Sequence, residues 1–215
     1  WNEFCILFRG NHQSRPLEKA LQLLRVPYHL TGGTAFLERQ EVKDALDRLC
    51  EGLPGMRWSD PQQFHLTLRF IGEVGQGLFY EIGEALMGVS HPPFELALKG
   101  LGQFPPRGAP HTLWAGVEDP SGTLPALRRR IERVLGEVGV EPERRKFAPH
   151  VTLGRFRAPP PEERLASYLF HRNLFRSERF PVSSFGLYSS QLRPEGSLYT
   201  LEAEYDFVAG TVERA

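Results

Sequence analysis

Apolar positions along the chain change their spacing several times, and each change predicts an element. Near the N-terminus "FCILFRG" is a short apolar run closed by Gly10, the pattern of a buried strand. Leu17, Leu21 and Leu24 recur at helical spacing behind Ser14 and Pro16, which suit a helix start. "VPYHLTGGTAF" reads as a strand and turn, and "ERQEVKDALDRLCEGL" as a second helix. Strands are then expected around His65, at Phe94–Leu98, in "HTLWAGVE", around His150, at Phe180–Ser189 and at Ser197–Phe207. Helices are expected around Leu78–Met87, in "GTLPALRRRIERVLGEVG" and in "PPEERLASYLFH", whereas "GQFPPRGAP" is turn-rich and irregular. This order predicts an α+β fold with two mostly antiparallel sheets and helices on their outer faces. Long separations between strands argue against simple hairpins.

Two of the expected strands carry the same polar signature, "FHLTLRF" at Phe64–Phe70 and "PHVTLGRF" at Pro149–Phe156. Alternate side chains of a strand share a face, so His65 and Thr67 point one way and Leu66 and Leu68 the other. His150 and Thr152 pair in the same manner against Val151 and Leu153. The apolar residues anchor each strand, and two lobes facing each other would gather two imidazoles and two hydroxyls around one small volume. Such a quartet suits phosphodiester chemistry, with one imidazole taking a proton from water and the other giving one to a leaving oxygen. Threonine hydroxyls can donate to phosphoryl oxygens as charge develops. A third match, His29 with Thr31, is followed by glycines instead of leucine. With seven histidines and eight threonines in the chain, about a quarter of a chance match is expected, so His29 is read as accidental. A serine triad lacks its Gly-x-Ser-x-Gly turn, and no ligand spacing announces zinc.

Composition narrows the classes further. At 215 residues with 40% hydrophobic content the chain can fill a core. Its net charge of zero argues against a general nucleic-acid coat. The charge is unevenly spread, however: Arg128–Arg193 holds 14 Lys and Arg against 7 Asp and Glu, a field that would attract an anionic substrate. No apolar run approaches the roughly 18 residues of a membrane span, and no secretory signal is evident, so a cytoplasmic location is expected. Cys5 and Cys50 read as reduced, buried thiols.

The flanks "MRWSDPQQFHLTLRFIGEV", "FAPHVTLGRF" and "FGLYSSQLRPEGSLYTLEAEYDF" resemble the two-histidine (2H) phosphoesterases, and within them the LigT-like RNA 2′,3′-cyclic phosphodiesterases, over about residues 45–207. The resemblance implies a bilobal fold with the active site in the cleft between lobes, no cofactor and no metal. It also implies substrates that are RNA ends or nucleotides bearing a 2′,3′-cyclic phosphate, opened to a 2′-phosphate, with 2′-5′ RNA ligation as the reverse reaction. Carried across by motif, His65 is the proton donor to the leaving 3′ oxygen and His150 the base that activates water; Thr67 and Thr152 hold the phosphate. Arg155 is a candidate phosphate ligand, but its parity is wrong for the His150 face unless a bulge near Gly154 turns it inward. Arg69 has the right parity and is a further candidate, as are Tyr188 and Ser190 on the C-terminal strands.

The first part of the chain, about residues 1–46, resembles instead a segment of Rep/UvrD-like superfamily 1 DNA helicases, including Gln13–Arg15. No phosphate-cradling Gly-x-x-x-x-Gly-Lys loop accompanies it, which excludes ATP-driven unwinding. The expected organisation is therefore a grafted or fused segment at 1–44, supplying a strand or helix to the first lobe, and a phosphoesterase domain at 45–215. Two other readings are a non-catalytic RNA-end or phosphate-binding module and an engineered or fused chimera of impaired activity.

Overall fold

Antiparallel pairing dominates the computed structural model, which describes residues 40–193 and 196–207. The expected elements at residues 1–39, together with His29 and Cys5, lie outside the described residues. Helix α1 (Gln40–Asp47) comes first and runs across the boundary expected between residues 44 and 45. After it come β1 (Met56–Trp58), a 3-10 turn at Pro61–Gln63, and α2 (Gln76–Met87). The order continues with β2 (Phe94–Phe104), β3 (Thr112–Glu118), α3 (Leu124–Glu137), β4 (His150–Phe156) and α4 (Glu162–Arg172). Strands β5 (Phe180–Val182), β6 (Ser184–Arg193) and β7 (Gly196–Asp206) close it. One sheet has the order β1-β4-β3-β2-β5, antiparallel throughout, and β6 and β7 make a second. The α+β expectation with two antiparallel sheets is met.

Helix α3 shows why the sequence folds this way. Leu127, Ile131, Val134 and Leu135 recur at helical spacing and are all buried, while the arginines between them face outward or form ion pairs. The backbone N–H of Leu124, which an α-helix start leaves without an internal acceptor, donates to the Asp119 carboxylate at 2.7 Å. On the strand side, Val151 and Leu153 of β4 are fully buried against Leu113 and Ala115 of β3.

Four expectations need correction. Consecutive strands do form hairpins, β2 with β3 and β6 with β7, the latter closing at Arg193 opposite Gly196. Strand β2 also runs beyond Leu98 because a bulge absorbs Lys99 and Gly100: Leu98 faces Val117 and Leu101 faces Ala115, leaving Gly116 alone opposite both. Gly100 takes φ 68° there, a conformation that favours glycine. The strand expected at Phe180–Ser189 is two strands, since β5 pairs with β2 whereas β6 pairs with β7. Finally, the first histidine stretch is not a full strand. It is extended backbone joined to β4 by one bridge, Leu66 opposite Val151, because β1 already pairs with β4 from Gly154 onward.

Cys50 is half-buried and unbridged, and burial, then the charge of Asp47, pushes its thiol up to about 12, which makes it unreactive at neutral pH. No helix among the described residues is long and apolar enough to cross a membrane.

The β2–β3 bulge yields a stability test. A Cβ on Gly116 would lie 2.4 Å from the Lys99 carbonyl oxygen, a backbone atom that cannot swing aside, whereas a Cβ on Gly136 in α3 would meet nothing within 4 Å. Gly116→Ala is expected to cost about 1–3 kcal/mol, as overpacking does. Gly136→Ala is expected to gain about 0.5–1 kcal/mol from helix propensity. Urea denaturation of both variants checks this.

Candidate active site

The Leu66–Val151 bridge sets the geometry of the site. In an antiparallel pair, opposed residues share a face and successive ones alternate. Val151 is fully buried and Leu66 packs against the core, so their neighbours His65, Thr67, His150 and Thr152 all emerge on the other face. Carried one residue either way, the register puts His65 across from Thr152 and Thr67 across from His150. The two histidines are then diagonal neighbours, a relation that places side-chain roots about 7–8 Å apart. That spacing leaves room for a phosphate between two imidazoles. All four motif residues are half-buried.

Both rings are held alike. Nδ1 of His65 donates to the Gln63 carbonyl at 2.8 Å, and Nδ1 of His150 to the Ala148 carbonyl at 2.6 Å. A carbonyl can only accept, so each Nδ1 carries the proton and each Nε2 is left for a reacting atom. Aromatic rings fix the planes: Tyr199 lies 4.5 Å from the His65 centroid, and Phe104 and Trp114 lie 5.0 Å and 6.1 Å from that of His150. None of the three stood out in the sequence. The signal for Trp114 is its place in β3 directly opposite Thr152, with the ring lying over Gly102, where a Cβ would come within 2.2 Å.

His65 is held below the ordinary imidazole value of 6.5. Burial is the largest cause; the Gln63 carbonyl opposes it, and the positive charges of His150 and Arg155 add to it. The two histidines and Arg155 are thus close enough to feel one another.

Arg155 reaches this face by the bulge its parity required. Thr152 pairs with Trp114 and Gly154 with Leu113, so Leu153 is an extra residue in β4 and the alternation switches there. Leu153 is buried and Arg155 exposed. Across β1, Arg155 faces Arg57, flanked by Met56 and Trp58, which pack on the core.

Arg69, in contrast, turns away from the quartet. Its Nε donates to Glu132 of α3 at 3.0 Å, its Nη1 lies 3.6 Å from Glu143, and it also bonds the carbonyls of Phe70 and Glu141. Burial alone would raise the Glu143 carboxyl, but hydrogen bonds from Arg145 and the Phe70 N–H, with the charges of Arg145 and Arg69, hold it below the usual value. Arg128 bonds Glu132 at 3.2 Å and stacks on Phe147, three residues before His150. The network therefore ties the end of the first motif to the approach of the second.

Tyr188 and Ser190 lie on β6 opposite Leu201 and Tyr199, on the ribbon face whose Tyr199 touches His65. Both are exposed. Two cavities of about 390 and 380 Å³, bordered by Pro92 with Arg130 and by His91 with Thr123, share no residue with this face. Among the described residues no three His, Cys, Asp or Glu side chains converge as a metal site.

A family model described as the 2′-5′ RNA ligase superfamily matches residues 22–193. An RNA 2′,3′-cyclic phosphodiesterase of Aeropyrum pernix is 37% identical over 148 residues, 69% of this chain and 84% of that protein. Among solved structures, TT0787 of Thermus thermophilus superimposes with a TM-score of 0.65 at 26% identity, covering 80% of this chain and 95% of that one. Apo E. coli LigT gives 0.61 at 22% identity, covering 80% and 93%.

Two outcomes follow from the electrostatics. Because native His65 binds fewer protons than the unfolded chain, stability should fall as pH drops through 6.5 and level off below the lowered native value. Urea midpoints at pH 8 and pH 5 should therefore differ less in His65→Gln than in the parent. Arg69 is 7% exposed, and Arg69→Ala takes one cation from Glu132 and Glu143, which keep Arg128 and Arg145. That loss is expected to cost about 1–3 kcal/mol in the same assay, the range for lost hydrogen bonds to charged groups.

Proposed function

The chain belongs to the 2′-5′ RNA ligase superfamily, and from that premise we propose that it hydrolyses 2′,3′-cyclic phosphates of RNA ends or nucleotides to 2′-phosphates by two-histidine acid–base catalysis. The observation that carries this reading is the single face on which His65, Thr67, His150 and Thr152 meet, with both Nδ1 atoms tied to backbone carbonyls. The similarity to an RNA 2′,3′-cyclic phosphodiesterase names the bond.

In the proposed reaction Nε2 of His150 takes a proton from water as its oxygen attacks phosphorus. The bond from phosphorus to the 3′ oxygen breaks, and protonated Nε2 of His65 gives its proton to that oxygen. The 2′ ester survives, so the product is a 2′-phosphate with a free 3′ hydroxyl, and each histidine ends in the other's starting state. Thr67 and Thr152 donate to the non-bridging oxygens, and Arg155 neutralises the charge that gathers there. Tyr188 and Ser190 border the His65 side, where the nucleoside would rest. Two imidazoles supply both proton transfers, so the scheme calls on no metal.

Phosphorus NMR of a 2′,3′-cyclic nucleotide incubated with the protein in EDTA is expected to show conversion to the 2′-phosphate. His65→Ala and His150→Ala should each lower kcat by about 100- to 10,000-fold, the usual worth of one proton transfer, with circular dichroism unchanged. Unchanged substrate would overturn the reading, and salt-sensitive binding without turnover would replace it with an RNA-end binding module.

A further inference from the structure

We propose that Arg69 and Glu143 are positioning residues for the two histidines: the clamp they form between the end of the first motif and the loop ahead of the second sets how far apart the rings of His65 and His150 stand. The inference rests on the phosphodiesterase reading and adds to it two residues that touch no reacting atom.

The need for a clamp comes from the backbone. The first histidine stretch meets β4 through the single bridge of Leu66 with Val151, and one bridge fixes a point while leaving the angle between two chains open. Ahead of His65 the 3-10 turn ties the stretch to β1, which is itself paired with β4. Among the described residues no strand pairing takes over between Thr67 and α2, and side chains stand in its place. Arg69 sends Nε to Glu132 at 3.0 Å, Nη2 to the Glu141 carbonyl and Nη1 to the Phe70 carbonyl, with Nη1 3.6 Å from Glu143. Glu143 also accepts from the Phe70 N–H at 3.4 Å and from Nε of Arg145 at 2.6 Å, and the Arg145 guanidinium lies 5.2 Å from the centre of the Phe70 ring. From there the chain runs to Phe147, against Arg128, and to Ala148, whose carbonyl holds the His150 ring.

The make-up of the clamp suits orientation better than cohesion. The Arg69 and Glu143 side chains are 7% and 12% exposed. A buried ion pair adds little net stability over apolar side chains of the same shape. A guanidinium whose three nitrogens reach different partners, however, satisfies all of them in one pose only. In the proposed reaction both Nε2 atoms must reach one phosphorus, and a displacement of about 1 Å can cost about 100-fold in rate.

The test uses Glu143→Gln, which keeps the shape and loses the charge, and Arg69→Gln, which removes the fork. Each is expected to lower kcat on a 2′,3′-cyclic mononucleotide by about 10- to 100-fold, with KM changed by less than about twofold. Arg69→Lys, a charge without the fork, should recover little of the loss. Ile82→Val, on the buried face of α2, is the control: it should lower the urea midpoint and leave kcat unchanged. A second readout needs no turnover. The charges that act on His65 are those of His150 and Arg155, so removing Arg69 or Glu143 leaves its proton affinity alone unless the rings part and water enters. The NMR titration midpoint of His65 should therefore rise towards 6.5 in both Gln variants, although their charge changes have opposite signs, and stay in place in Ile82→Val. Unchanged kcat, an unmoved midpoint or full recovery by Arg69→Lys would overturn the proposal. If the parent protein turned over no cyclic phosphate the phosphodiesterase reading would fall, and the midpoints alone would decide the clamp, a rise in both variants supporting it and no rise overturning it.

Discussion

The site depends on one backbone pairing, Leu66 against Val151. It joins segments far apart in sequence, and its register is fixed by what lies behind it: Val151 fully buried and Leu66 against the same core. A slip of one residue would drive His65 or Thr67 into apolar surroundings and expose Leu66, so burial holds this face in place. The carbonyls of Gln63 and Ala148, each two residues ahead of its histidine, complete the device, since the backbone that brings a ring to the face also sets its tautomer. The 3-10 turn at Pro61–Gln63, opened by the Asp60 side chain accepting from the Gln62 N–H, delivers one of those carbonyls.

How much of this was legible depended on whether a pattern was local. The alternation in "PHVTLGRF" foretold β4, and the leucine–arginine spacing of "LPALRRRIERVL" foretold α3, because period and burial agree within a few residues. The quartet was legible because the motif occurs twice. Pairing partners were not: nothing in "FHLTLRF" says that β1 occupies the far half of β4 and leaves the stretch a single bridge. Parity arguments fared according to register as well. Arg155 needed a bulge near Gly154, and β4 has one at Leu153. Arg69 had the parity of the His65 face and is nonetheless drawn off it, because Glu132 and Glu143 are contributed by distant segments. Tyr199, Phe104 and Trp114 gave no warning, since an aromatic residue on a strand usually means packing.

The arginines of this neutral chain divide by what opposes them. Arg69 and Arg128 face carboxylates in a half-buried network whose role is to hold α3, the first motif and the loop before His150 together. Arg155 stands opposite Arg57 across β1, and its charge is felt at His65. A net charge of zero therefore conceals a local field.

That field bears on the acid role proposed for His65. Burial and the charges of His150 and Arg155 disfavour its proton, so the ring rests neutral at physiological pH. A cyclic phosphate is an anion. Placed between the two imidazoles and beside Arg155, it offsets the positive charges that lowered His65 and supplies an acceptor for a protonated Nε2, so both changes push the ring back towards its charged form. In the proposed reaction the acid is thus assembled by the substrate: the group that must donate a proton becomes able to hold one when the phosphate arrives. His150, with the same carbonyl restraint on Nδ1, takes the part of the base in the proposed reaction. The asymmetry of roles then comes from which side the sugar occupies, while the two halves of the constellation stay nearly alike.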